Sequence, residues 1–534
     1  MSEETASLSK STAKISVYTT ISRITGFIAI IVLAYALGNT NLADSYNLAN
    51  TIPNMLYELV LGGILTSLFI PIFMDHLIKD KEKAWKVVSN IANISILFLI
   101  VMAIIGTVFS FYFIRVQTFL LPADAKKVEL ASFFFKFFVW EIVFYGACSI
   151  LNGILQSLKR FSVPAAAPIL NNLVTIATVL FIYMPLRDAS PEAALVGLAI
   201  GTTFGVMAMA LVQIPALLKV GYKHHWILDF KDETFLKLAA LALPVFGYVA
   251  SNQLGQIVVN ILAFQFTSGF SYWTYAWRFY QLPYGILAVS IATVLFPYIA
   301  ERSSKDDIDG IKEYLSLGVR TTSFVILPAT AFIFILSKPL ILTTISHGAF
   351  TESGGLKTAE VLGYFSLGLL PFSLHMFVAR IFYALKDTMT PMKMNALGVP
   401  LMIVMDIILV RYFEVAGLAM GNSITYAFTT TLLFLALRKR IGPLGARNMV
   451  RKALRFTIIS IISGFLIVVA TGHPFFSGTD FTSSLLSLIV GLTVGIGSYL
   501  IINHIMKTEE TEFIWDMFRG ILRRWRNNAK GGQS

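Results

Sequence analysis

Arg23, Asp44, Asn54, Glu58 and Arg278 carry side chains that hydrocarbon does not solvate, yet each stands in or beside an apolar run long enough to cross a bilayer. Ionisable groups in such runs face a polar cavity or a paired partner, because the alternative is an unsolvated charge. Two guanidiniums sharing one space repel unless an anion or carboxylates lie between them, so Arg23 and Arg278 together invite a phosphate-bearing ligand. Asp44, Asn54 and Glu58 share the stretch 22–71 with Arg23, as do Pro53, Gly62, Gly63 and Pro71. Glu58, Glu141 and Asp406 could each take a coupling proton or cation, since buried carboxylates shift their ionisation readily; pairing with a basic residue or a hydroxyl is the plainer role for each.

The elements that must position these residues follow from composition. The 534 residues are 56% hydrophobic and only 13% charged, with a mean hydropathy of +0.73. A soluble domain is about a quarter charged, and a chain this apolar would expose too much hydrophobic surface in water. The expectation is an all-α polytopic membrane protein. Cys148 is the single cysteine, which excludes an intrachain disulfide and a thiolate metal cluster. Arg23 interrupts the first apolar run, which is also too long for the core of a signal peptide, so it reads as a first transmembrane helix.

Apolar segments fall near residues 15–37, 46–75, 87–114, 128–157, 163–185, 191–218, 234–266, 270–300, 314–344, 356–385, 392–412, 415–437, 453–471 and 482–506, about fourteen spans for a core about 30 Å thick. By position, about 30 of the 42 Lys and Arg residues gather in alternate loops, including KVGYKHHWILDFKDETFLK and RKRIGPLGARNMVRKALR. That bias puts both termini in the cytoplasm, accounts for the net charge of +12, and argues against a nucleic-acid partner, which would need one continuous basic patch. Arg23, Lys136, Arg278, Arg320 and Arg380 are the basic residues left inside spans.

Punctuation recurs along the chain. Pro53 and Pro283, Pro71 and Pro297, and Pro164 and Pro391 are each separated by about 230 residues, which reads as two parallel six-helix lobes plus two C-terminal helices, with a substrate site between the lobes and rocking as the means of alternating access. The expected organisation is a cytoplasmic segment 1–14, an N-lobe 15–218, a cytoplasmic linker 219–233, a C-lobe 234–437, two further helices in 438–506 and a basic cytoplasmic tail 507–534. In that tail Ile514, Phe518, Ile521, Leu522 and Trp525 recur at helical spacing among arginines, as suits a helix lying on an anionic leaflet.

These residues resemble the MurJ (MviN) family of lipid II flippases, within the multidrug/oligosaccharidyl-lipid/polysaccharide exporter superfamily. The resemblance is carried by SRITGF, ADSYNLANTIPNMLYELVLGGILTSLFIPIF, LNGILQSLKRFSVPAAAP, SYWTYAWRFYQLPYGILAVSIATVLFPYIAE and ARIFYALKDTMTPMK, in order over nearly the whole chain. It implies a cationic cavity between two lobes, a groove for the lipid tail formed by 453–471 and 482–506, and transfer of an undecaprenyl-diphosphate-linked precursor to the outer leaflet without ATP hydrolysis. Membrane potential or a monovalent ion would drive it, with no cofactor, in the bacterial plasma membrane and as a monomer. By the resemblance Arg23 and Arg278 contact the diphosphate, Asp44 stands near the outer end of the first helix pair, and Asn152, Arg160, Arg380 and Asp387 belong to the cytoplasmic gate motifs. The chain departs from the family at Ala29, Tyr57 and Glu58, where arginines are expected, and Lys136 or Arg320 could compensate. An exporter of another undecaprenyl-diphosphate-linked oligosaccharide is the alternative that these departures leave open.

A membrane-embedded transferase or phosphatase would need activated acids, bases or metal ligands gathered near one membrane surface. The seven histidines are scattered, and HExxH, GxSxG and GxxxxGK[ST] are absent. The sequence therefore points to a transporter and away from an enzyme.

Overall fold

The computed structural model describes residues 3–58, 73–74, 77, 80–122, 125–158, 160–473 and 478–510. Gly62, Gly63, Pro71 and the tail helix with Ile514, Phe518 and Trp525 lie outside the described residues. The described secondary structure is helical throughout. Among the described residues ten helices are long and apolar enough to cross a membrane, or eleven spans when the pair Glu352–Leu367 and Leu369–Ala384, bent by 46° at Gly368, is taken as one. The other expected spans are accounted for differently. Met389–Ile441 is two helices joined at the kink of Glu414, one for each of 392–412 and 415–437, 234–266 corresponds to the helix Glu233–Phe264, and 46–75 runs beyond the described residues.

The chain forms two compact units, residues 1–274 with 345–351, and residues 275–344 with 352–534. In the first, α1 (Glu3–Leu37) leads into α2 (Asn41–Tyr57), whose first turn is capped by the Thr40 hydroxyl accepting from the Ala43 N–H at 3.2 Å. Next come α3 (Lys81–Val108), α4 (Ser110–Gln117), α5 (Lys126–Phe138), α6 (Glu141–Ser157), α7 (Ser162–Thr178), α8 (Pro191–Leu211) and α9 (Glu233–Phe264). The aromatic run of α5 makes the local core. Phe134 and Phe138 are fully buried and meet Tyr46 of α2 edge-on, at centroid distances of 5.6 and 5.3 Å. The Tyr46 hydroxyl lies 3.0 Å from that of Thr202 on α8, so the one polar atom of this cluster is paired.

The span α5–α6 is broken at Val139 and Trp140. Backbone bonding tightens there to i→i+3 pairs, with the Trp140 N–H donating to Phe137 O at 3.2 Å and the Ile142 N–H to Val139 O at 3.2 Å. Hydroxyls from neighbouring helices add to the same stretch: Thr203 donates to Phe137 O at 3.2 Å and Thr107 to Lys136 O at 3.5 Å. A second tight spot lies after α1. Gly38 has φ +67°, and a Cβ built on it would stand 2.2 Å from the carbonyl oxygen of Ala349, whose own N–H donates to Tyr35 O at 2.9 Å. Gly38→Ala must therefore bear the left-handed penalty of about 1–2 kcal/mol and also displace backbone. Gly445 has the same φ with nothing within 4 Å of its Cβ position. Gly38→Ala should lower the melting temperature in detergent clearly more than Gly445→Ala; equal losses would show that the close approach to Ala349 costs nothing.

The boundary between the units falls within α10 (Gly269–Pro283). In the second unit, Pro283 is followed at once by a π-helical turn, Tyr284–Ala288, where the proline's missing N–H has already interrupted regular bonding. Then come α11 (Val289–Ser304), α12 (Ile308–Thr344), the bent pair α13 (Glu352–Leu367) and α14 (Leu369–Ala384), α15 (Met389–Ile441), α16 (Ala446–Thr471) and α17 (Phe481–Ile505). The buried Tyr280 ring packs against Phe365 and Phe372, and its hydroxyl donates to the Gly368 carbonyl at 3.1 Å, beside the bond that this carbonyl accepts from the Phe372 N–H at 2.9 Å.

Inside α15, Glu414 takes φ 49° and ψ −134°. The two segments fold back on one another: Cβ positions at Gly417, Gly421 and Gly398 would meet Leu409, Asp406 and Thr429. Small residues permit this close antiparallel contact. Glycine does the same where α16 and α17 pack on α12, with Gly464 against Ile335 and Gly491 against Leu336. The Tyr499 hydroxyl of α17 donates to Phe324 O at 2.7 Å, closing the same interface with a polar contact.

Candidate functional site

Arg23 is exposed on α1, with no hydrogen bond or ion pair among the described residues. Arg278 is exposed on α10, and its neighbour Trp277 belongs to the aromatic cluster around Phe365. Both positions thus keep a guanidinium accessible, and at Arg278 the adjacent ring packing fixes the helix backbone. Such a group can grip an oxyanion through paired N–H donors.

Asp44 has the opposite character. It is fully buried, its Oδ2 lies 2.6 Å from Lys127 Nζ, and its Oδ1 accepts from the Ser271 N–H at 2.7 Å. Lys127, also buried, donates to the carbonyls of Phe264 and Phe266 at 2.7 Å each and sits 4.2 Å from the centroid of the Phe264 ring. The ammonium is therefore surrounded by four electron-rich partners, and the carboxylate is held by two donors. This is a closed clamp joining α2, α5 and the α9–α10 turn, the arrangement that makes a buried ion pair tolerable. Sequence reasoning passes over Lys127. It stands beside Lys126 at the edge of an apolar segment, where a loop charge and a buried one look alike.

Asn54 and Glu58 lie one turn apart on the exposed side of α2, and Asn54 Nδ2 donates to Glu58 Oε1 at 3.4 Å. The other oxygen, Oε2, accepts from Gln253 Nε2 of α9 at 3.0 Å. The acidic position is thus engaged by two amides and by no cation among the described residues. Nearby, the Tyr57 hydroxyl bonds that of Ser149 on α6, and Ala29 is buried against the body of its unit.

Lys136 is exposed in the last turn of α5. Arg320 is only 18% exposed and is paired, with Nη1 at 3.1 Å from Glu509 and 3.5 Å from Glu510. Lys452 reaches the same two carboxylates at 2.8 Å each, and Arg455 donates to Met506 O at 2.7 Å. This cluster ties the end of α17 to α12 and α16. The hydrogen bond from Lys452 and its charge, with Arg320 beside them, hold the Glu509 carboxyl below its ordinary range. Its share of the cluster is present at neutral pH and is lost as pH falls through that lowered value.

Glu141 and Asp406 are both fully buried, and none of their carboxylate oxygens has a hydrogen-bond partner among the described residues. Glu141 starts α6 at the break in its span, and Asp406 faces Gly421 inside the α15 hairpin. An isolated carboxylate in such a place is costly as a bare charge, and each stands apart from basic residues among the described ones.

The four gate positions fall into two regions, one in each unit. Asn152 donates weakly to Cys148 Sγ at 3.7 Å, and Arg160 is exposed beyond the end of α6. Arg380 donates to Thr293 Oγ1 on α11 at 3.2 Å. Asp387 accepts from the Thr390 N–H and hydroxyl at 2.9 and 2.8 Å and from Arg440 at 3.4 Å, so it caps the start of α15 and binds that start to its far end. Among the described residues no cluster of three or more His, Cys, Asp or Glu could hold a metal ion.

Buried carboxylates, exposed arginines and broken apolar spans define a multi-pass membrane transporter fold. Solved structures of the same architecture include one described as "Lipid II flippase MurJ, inward closed conformation", at TM-score 0.77 and 24% identity over 92% of this chain and 99% of that one. Another is an inward-facing multidrug-resistance transporter of the MATE family and MOP superfamily, at TM-score 0.65 and 16% identity over 80% and 98%. The lipid II flippase MurJ family pattern matches residues 33–491, and the chain belongs to that family, one of transporters and not of enzymes. Relatives named probable lipid II flippase MurJ include that of Buchnera aphidicola subsp. Acyrthosiphon pisum, 29% identical over 86% of this chain and 89% of the relative, and that of Vibrio cholerae, 28% identical over 86% and 87%.

Proposed function

We propose that this protein moves lipid II from the inner to the outer leaflet of the bacterial plasma membrane by alternating access, as a monomer with both termini in the cytoplasm. The family match across residues 33–491 carries this reading. Arg23 and Arg278 bind the diphosphate, a role that suits two exposed guanidiniums on transmembrane helices. Asn54 and Glu58 act as a polar pair beside the headgroup, held by Gln253. Asp44 acts indirectly, through the clamp with Lys127 that fixes α2. Lys136 is the better compensating charge, since Arg320 is already committed to Glu509 and Glu510. Glu141 and Asp406 take up the coupling proton or monovalent cation, because each is buried without a partner among the described residues. The segments around Asn152 and Arg160, and around Arg380 and Asp387, form the cytoplasmic gate.

One observation favours a second substrate, another undecaprenyl-diphosphate-linked oligosaccharide: Glu58 places a negative charge, tied to Gln253, where an arginine is expected. Complementation separates the two. Expression in cells depleted of their own flippase should restore growth and raise lipid II on the outer leaflet to near the level of undepleted cells. Failure at normal membrane levels of the protein would reject lipid II in favour of the second substrate.

A further inference from the structure

The second unit contains a cavity of about 630 Å³ that is lined by none of the charged or gate residues assigned to transport. Its wall is apolar, formed by Val319, Leu374, Phe434, Leu444 and Met449 from α12, α14, α15, the turn after it and α16. The two hydroxyls of the wall are already used within their own helices: Ser323 donates to Val319 O at 2.7 Å and Thr431 to Ala427 O at 2.8 Å. An occupant therefore meets hydrocarbon and no free hydroxyl donor along this wall. Its size lies within the range of about 300–1,000 Å³ usual for small-molecule sites.

Charge is concentrated at one end of the same cavity. Arg438, in the last turn of α15, and Arg447, in the first turn of α16, both line it, both are exposed, and neither has an ion pair or side-chain hydrogen bond among the described residues. Their neighbours Arg440 and Lys452 are paired with Asp387 and with Glu509 and Glu510, whereas Arg438 and Arg447 keep their guanidiniums for the cavity that they line. The start of α16 adds to the effect, for Gly445 at its N-cap provides no side-chain acceptor for the first N–H groups.

From these features we infer that the cavity is a binding site for one anionic glycerophospholipid, with an acyl chain between α12, α14, α15 and α16 and the phosphate on Arg438 and Arg447. Basic pockets between transmembrane helices at the level of the headgroups bind such lipids, and the surrounding bilayer supplies them at high local concentration. The site is independent of the transported substrate, and its occupancy would brace the α15–α16 turn.

Native mass spectrometry of the full chain in detergent tests this, with dioleoyl-phosphatidylglycerol as the probe. The wild type should retain one more lipid than the Arg438→Gln/Arg447→Gln double variant, whose affinity should fall by roughly tenfold or more. Both side chains are exposed and have no partner among the described residues, so the variant should melt with the wild type. Leu374→Trp, which fills the cavity and leaves both arginines, should lose the same lipid. Equal retention by the double variant, equal retention of dioleoyl-phosphatidylcholine, full competition by glycerol phosphate, or displacement by undecaprenyl phosphate but not by phosphatidylglycerol would each overturn the assignment.

Discussion

Arg23→Ala and Arg278→Ala should each abolish rescue of flippase-depleted cells while the protein stays in the membrane at normal levels. A hydrogen bond to a charged group is worth about 1.5–3 kcal/mol, so losing one guanidinium from a diphosphate site costs roughly tenfold to a hundredfold in affinity. Folding should be spared: both side chains are exposed, and the packing beside Arg278 is made by Trp277 and Tyr280. Lysine in place of either should restore only part of the activity, because it keeps the charge and loses the planar fork. Lipid II counted on the outer leaflet is the measurement. Undiminished exposure with both alanine variants would remove these arginines from the site.

Lys127→Met should be among the most destabilising single changes in the first unit. It leaves Asp44 fully buried with one donor, the Ser271 N–H, and it takes a donor from the carbonyls of Phe264 and Phe266, of which Phe266 O keeps the Gly269 N–H. Removing one member of a buried pair costs about 3–5 kcal/mol. Asp44→Asn alone should cost nearly as much, since it leaves the buried ammonium with two carbonyls and a ring face but no counter-charge. The double variant Asp44→Asn/Lys127→Met carries no net buried charge and should recover a substantial part of the loss. Thermal melting in detergent follows all three; strictly additive losses would show that the two residues do not act as a pair.

Span positions are legible in the chain because hydropathy is a local property. The apolar runs 392–412 and 415–437 part at Phe413 and Glu414, and the helix turns back on itself at Glu414. The exposed arginines are legible for a similar reason, since a cation inside an apolar run is visible without knowing its neighbours. Pairing is not legible. Asp44 meets Lys127 and Ser271 across long stretches of chain, and Arg320 meets Glu509 and Glu510, an acidic pair that reads in sequence as the start of a tail. Whether a charge is open to a ligand or already engaged depends on such tertiary contacts. The sequence could therefore name the candidates but not sort Arg320 from Lys136, or Asp44 from Glu141.

The short segment 345–351 belongs to the first unit although the chain on both sides of it belongs to the second. Within it the Ala349 N–H donates to Tyr35 O, and the Thr351 N–H and hydroxyl donate to Asn39 Oδ1 at 2.9 and 3.0 Å. During synthesis the ribosome delivers the chain at roughly 5–20 residues per second, and domains generally fold as they emerge. The first unit must therefore wait, with the end of α1 and the residues after it lacking these donors, until α12 has also been made. A fragment ending at residue 274 would lack this closing piece, whereas one ending after residue 351 would contain it.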